Sequence, residues 1–196
     1  MARGKLERMN YYGAKELATS FRTVRKNTLQ IAEEIPEDKY GFRPAEGVKS
    51  VAELLAHIAL AWKFQEQINF VQKCATLEGF DFPGLMGVLM ADQAKPRTKA
   101  ELVALLKTEG EKFAAALEGL SDDYLGQSVT MPAGAEPSSR TRFDMLGSVK
   151  EHEMHHRGQL MLIERMVGIT PHLTRAMNER IAAMQAAAQA AAGQKK

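Results

Sequence analysis

Twice in this chain a hydroxyl residue stands three positions ahead of a glutamate at the head of a long apolar-periodic run: Ser50-Val51-Ala52-Glu53 and Thr98-Lys99-Ala100-Glu101. In such a capping box the hydroxyl and the carboxylate satisfy backbone N–H groups that the first helical turn leaves without partners. The runs behind them, AELLAHIALAWKFQEQINFVQKCA and LVALLKTEGEKFAAALEGL, are therefore predicted to be helices, each continuous. Two further segments carry helical punctuation. From about Asn10 to Ile35, Leu17, Phe21, Val24, Thr28 and Ile31 recur three or four apart, and Pro36 stops the run. Another begins near Thr141 and ends at Gly168, a residue at ease with positive φ, with Pro171 just beyond. Strand signals are weak, with no sustained alternation and no Asn-Gly or Asp-Gly hairpin turn. The fold class expected is all-α, built on four long helices.

Two connections exceed the usual helix–helix loop. Residues 76–97 are expected to hold a short helix around Leu85–Ala91, and residues 121–140 are rich in turn formers. Long loops at the ends of a rigid bundle often shape a binding site. The tail AAMQAAAQAAAGQKK has high helix propensity but little to bury, so residues 1–175 are expected to form one domain and 176–196 a helical extension that frays at its end. With 45% hydrophobic and 26% charged residues the chain can bury a full core. Its net charge of +2 gives no electrostatic case for nucleic acid or a membrane surface. Cys74 is the only cysteine, so no internal disulfide can form, and no signal-peptide-like or membrane-spanning run is visible. A cytoplasmic protein is the expectation.

The most informative stretch is EHEMHHRGQL at residues 151–160. At about 100° per residue, His156 lies about 40° from His152, and Met145, Val149, Gln159, Ile163 and Met166 fall within about 60° of it. The pair thus sits on an apolar stripe. His57 does the same on the second helix, beside the stripe of Leu54, Ile58, Ala61, Gln65 and Ile68. Burying several imidazoles without a common partner costs a few kcal/mol each. A divalent metal removes that cost. Residues i and i+4 can chelate one ion side by side, so His152 and His156 are the specific pair, with His57 a third ligand from a facing helix. Three neutral imidazoles leave a coordination position open, which suits catalysis or ligand binding rather than a closed structural site. Zinc, nickel or iron would suit such donors.

Other residues receive plainer expectations. His155 belongs in the wall behind the ligands, and Gln159 is placed to bond a bound water or substrate, or to tie two helices. His172 is expected to be exposed, Arg157 to sit at the surface or in an interface ion pair, and Trp62 to pack in the core. Met145, Met154, Met161 and Met166 are expected to fill the core, and nothing around Cys74 argues for a nucleophile. His152-Glu153-Met154-His155-His156 also matches H-E-x-x-H, in which Glu153 would be the general base of a metallohydrolase, with Glu179 a conceivable third ligand. Such sites normally sit beside a sheet edge, and Glu153 reads more simply as a solvated charge.

FRPAEGVKSVAELLAHIALAW, followed by HEMHHRGQL, resembles the DinB-like (DinB/YfiT-like) family of small bacterial helical metalloproteins. The most specific part is H-x-x-x-H-R-G-Q, here His152, His156, Arg157, Gly158 and Gln159, with the upstream histidine as His57. The resemblance implies a four-helix bundle, often a homodimer, with a mononuclear metal on those three histidines. It implies a thiol-dependent transferase or isomerase using a low-molecular-weight thiol on a small-molecule substrate. Several members carry an aromatic residue where this chain has Lys49. A non-catalytic metal-binding, sensor or scaffold bundle is the alternative.

Overall fold

A computed structural model describes residues 12–193. The first helix, α1, spans Ala14–Glu34. Its buried face carries Leu17, Phe21, Val24, Thr28 and Ile31, the periodic set expected, and Ile35 leaves the helix in an extended conformation ahead of Pro36. Asn10, the expected start, lies outside the described residues. Helix α2 (Val51–Leu60) and helix α5 (Lys99–Glu118) both begin with their capping boxes formed, Ser50 on Glu53 and Thr98 on Glu101. Helix α7 (Arg142–Met166) starts from a Thr141 cap, and Gly168 takes up φ +87 just past its end.

The second helix is not continuous. After α2 come a short helix, α3 (Trp62–Glu66), and a wide π turn over Gln67–Val71, and Lys73 at φ 50 ends the run before Ala75. Asn69 supplies a cause. Fully buried, it turns its amide back onto Gln65 O and Gln65 Oε1, while Arg142 donates to its Oδ1 at 3.0 Å. Back-bonding of this kind competes with the regular ladder and widens a turn.

Helices α1, α2, α5 and α7 form a four-helix bundle, in which α1 and α2 each pack against both α5 and α7. Its core near the mid-chain helices contains Leu54, Leu55, Ile58, Leu60, Leu106, Leu160 and Ile163. The loop of residues 76–97 holds α4 (Phe82–Gln93), a helix at the place expected but longer than Leu85–Ala91, capped by Asp81 and laid across α2 and α3. The loop of residues 121–140 contains a single turn of helix, α6 (Asp122–Leu125), and, against expectation, the first strand of a hairpin pairing β1 (Ser128–Thr130) antiparallel with β2 (Ser139–Thr141). Val129 is its buried residue, in an apolar cluster with Ile68, Leu77 and Met145; two three-residue strands are too short for periodicity to register. A last helix, α8, spans His172–Gly193. No helix among the described residues is long and apolar enough to cross a membrane.

Candidate three-histidine centre

His57 on α2 and His152 and His156 on α7 meet across the bundle. Their Nε2 atoms lie 3.0 Å (His57–His152), 3.1 Å (His57–His156) and 3.1 Å (His152–His156) apart. Nδ1 of His57 lies 3.0 Å from Gln93 Oε1 at the end of α4, and Nδ1 of His156 lies 2.8 Å from Gln159 Oε1. An amide oxygen only accepts, so Nδ1 is the N–H donor on both rings, which leaves the Nε2 lone pairs aimed at one another. His152 Nδ1 is buried without a hydrogen-bond partner. Burial holds all three imidazoles below their ordinary pKa. For His152 the drop, to about 4, is deepened by the neighbouring His156, His57 and His155; for His57 and His156 the cation of Lys49 contributes as well. All three are therefore neutral at pH 7.

The Nε2 lone pairs of His57 and His156 thus face each other and Nε2 of His152 at 3.0–3.1 Å, and a cation among the three nitrogens would turn that crowding into coordination. Nitrogen donors about 2.0–2.1 Å from one ion stand about 2.8–3.6 Å apart for the usual range of donor angles. The observed separations fall inside that range. Among the described residues this is the one group of three or more His, Cys, Asp or Glu side chains placed to share an ion. The donor set fits a divalent metal.

Two cavities open on either side of the nitrogens. One, about 320 Å³, has His57 and His152 in its wall beside Phe64, Met86 and Leu89. The other, about 370 Å³, is walled by Pro44, Leu54, Leu162 and Ile163 and includes His156, Gln159 and Lys49. The centre thus sits between two mainly apolar chambers.

Several expectations need correction. Glu153 is not solvated. It is 2% exposed, and both of its carboxylate oxygens accept from Arg25 of α1 at 2.9–3.0 Å, while the same guanidinium reaches Leu106 O at 2.6 Å. The helical turn that aims His152 into the centre aims its neighbour at α1 instead, so Glu153 is committed to holding α1 on α7 and is unavailable as a base. Glu179 is an exposed residue of α8 outside the histidine group. His172 is 7% exposed rather than open to solvent, because it begins α8 where that helix docks, with Nε2 3.3 Å from Asn27 Oδ1. Met154 and Met166 are exposed, Met145 is buried, and Met161 is half-buried. The expectation failed for Met154 because it lies about 200° around α7 from His152, and for Met166 because it is the helix's last residue.

Trp62 is buried against Phe113 with Nε1 donating to Glu109. His155 is exposed, but its Nε2 lies 3.2 Å from the amide nitrogen of Gln159, which fixes the glutamine that orients His156. Gln93 was not foreseen: it stands 36 residues from His57 on a separate helix, and no local pattern marks it.

Imidazoles from two helices of a bundle, converging on one point between two chambers, define a helical-bundle protein with a three-histidine centre. The chain belongs to the DinB superfamily, which its sequence matches over residues 20–160. It is 29% identical over 159 residues to protein YjoA of Bacillus subtilis, spanning 80% of this chain and 92% of that one. The crystal structure of the DinB-like protein YjoA superposes with a TM-score of 0.58 at 26% identity, over 79% of this chain and 94% of the other. YfiT of Bacillus subtilis, described as a probable metal-dependent hydrolase with an unusual four-helix bundle topology, superposes with a TM-score of 0.60 over 87% of this chain and 94% of its own. At 14% identity that second likeness is one of fold.

Proposed function

We propose that this protein binds one divalent metal ion through Nε2 of His57, His152 and His156 and uses it in small-molecule chemistry, as a thiol-dependent S-transferase. The observation that carries the reading is the meeting of three neutral Nε2 atoms at 3.0–3.1 Å with a cavity on each side. Two chambers suit a two-substrate reaction, one for the thiol and one for its electrophile. A divalent ion held by neutral ligands supplies Lewis acidity, which lowers the pKa of a thiol so that its nucleophilic form exists at neutral pH.

The chain's own residues do the positioning. Gln93 and Gln159 hold two of the rings by Nδ1, which fixes tautomer and orientation. Phe64, Met86 and Leu89 in one cavity, and Leu54, Leu162 and Ile163 in the other, give apolar walls beside the histidines against which the body of a small molecule could pack. No protein nucleophile is required.

The test has two stages. The purified chain is expected to carry near-stoichiometric metal that His57→Ala, His152→Ala and His156→Ala each lose; equal trace metal in all four ends the reading. The loaded protein is then incubated with several low-molecular-weight thiols and a generic electrophile. Metal-dependent conjugation supports the transferase. Its absence with retained metal leaves a binding, sensor or scaffold role, and turnover of an ester without thiol would favour hydrolysis, the activity ascribed to YfiT.

A further inference from the structure

The second cavity differs from the first in carrying a cation: Lys49, exposed at its rim and, among the described residues, in no ion pair. Lys49 lies in its wall together with His156 and Gln159, and the remainder of that wall is apolar, from Pro44, Val48, Leu54, Leu162 and Ile163. The nearby cation Arg43 is already matched, with its guanidinium on both carboxylate oxygens of Glu53 at 2.5 and 2.6 Å. Lys49 feels the field of Glu53 but forms no ion pair among the described residues. Its charge does act on His57 and His156.

This charge pattern has a consequence for the occupant. A divalent ion on three neutral imidazoles keeps its full charge. An ammonium group facing the same space adds to that charge, and none of the residues lining the chamber is a carboxylate. A ligand with an anionic group relieves both, and its apolar remainder matches the other walls. Because Lys49 is exposed, water solvates its charge, so a neutral polar ligand forgoes only the modest attraction of a solvent-accessible ion pair, while a cationic one would be repelled.

We propose that Lys49 is a specificity residue, and that the small molecule occupying the chamber beside His156 is an apolar carboxylate whose anionic group is held by the Lys49 ammonium. The proposal rests on the reading of the three histidines as a metal site for the substrate's placement, and a bound ion would add to the charge preference that Lys49 sets by itself. The carboxylate reaches Lys49 at the chamber mouth, and the apolar body lies along Leu54, Leu162 and Ile163 toward His156.

The test uses hexanoate and its neutral isostere hexanamide as probes, titrated into the full chain and followed by NMR shifts. It is run metal-free and zinc-loaded, on the parent and on Lys49→Gln. In the metal-free parent, hexanoate is expected to bind about three- to fivefold tighter than hexanamide, the size of a solvent-accessible ion pair. The perturbed resonances should be those of Leu54, Ile163 and His156. In Lys49→Gln the two probes should bind within twofold of each other, with hexanamide affinity and zinc content unchanged. Equal affinity of the two probes in the metal-free parent overturns the proposal, as does an unchanged preference in metal-free Lys49→Gln, or shifts confined to residues outside the chamber. Zinc content is read separately. Failure to load zinc therefore sinks the metal site and leaves the metal-free comparison to decide the role of Lys49, while a preference seen only with zinc and kept by Lys49→Gln assigns the carboxylate to the ion and overturns the role of the lysine.

Discussion

At the scale of single residues, two buried charges carry consequences that can be measured. Gly110 on α5 faces Arg25, and a methyl group there would lie 2.8 Å from Arg25 Nη1 and 2.9 Å from its Cγ. In an open helix, Gly→Ala gains about 1 kcal/mol. Here Arg25 cannot retreat without loosening its bonds to Glu153 and Leu106 O, so Gly110→Ala is expected to destabilise by about 1–2 kcal/mol in urea unfolding, the overpacking penalty winning. Glu164, fully buried with neither carboxylate oxygen hydrogen-bonded, is pushed up to about 7 by burial and then by the negative charge of Glu34, against the weaker pull of Arg175 and Arg165. A carboxyl whose folded pKa is raised contributes stability fully below its unfolded value of 4.5 and loses it as pH rises toward 7. That loss is on the order of 3 kcal/mol. Glu164→Gln should therefore unfold with a flatter pH dependence between pH 4.5 and 7 and be the more stable protein at pH 8. Reading the difference between the two proteins cancels the opposite titration of buried His172.

At the scale of elements, α4 is the piece that completes the centre. Only Leu89 of this helix is fully buried, while Met86, Val88 and Met90 remain exposed, so it is held by its ends as much as by its packing. Asp81 caps one end, and at the other Gln93 bonds His57 while Arg97 ties back to Asp92 at 2.9 Å. Removing a partner that orients a ligand imidazole typically lowers metal affinity 10- to 100-fold. Gln93→Leu is expected to weaken zinc binding about tenfold in a chelator competition while leaving helical content by circular dichroism intact. An unchanged affinity would show that α4 covers the centre without orienting it. Helix α7 plays the complementary part: successive residues His152 and Glu153 face two different neighbours, α2 and α1, and the Arg25–Glu153 pair fixes the rotation of α7 that delivers both histidines.

At the scale of the whole molecule, a metal held as proposed by His57 of α2 and His152 and His156 of α7 would clamp the bundle, and its binding would be linked to global stability. Zinc at about 100 times its dissociation constant is expected to add about 2.7 kcal/mol, or about 5–10 °C in Tm for a chain of this size. His57→Ala should abolish that increment, and an equal increment in the variant would refute a site shared by the two helices. The amino-acid sequence alone determined the helices with local signals, because caps, proline stops and 3.6-residue stripes act within a turn or two. It also marked the His152–His156 pair, because i and i+4 spacing on one inward stripe is a local signal, whereas His57 was indicated only by its inward face and the surrounding pattern, and packing brought it to the pair. Tertiary structure alone decided the rest. Gln93 on His57, Arg25 on Glu153, the burial of Glu164 and His172, and the opening of a turn at Asn69 each join groups that are distant in the chain. Their energies come from desolvation and hydrogen bonds that exist only once the helices are packed, and no pattern within one helix records them.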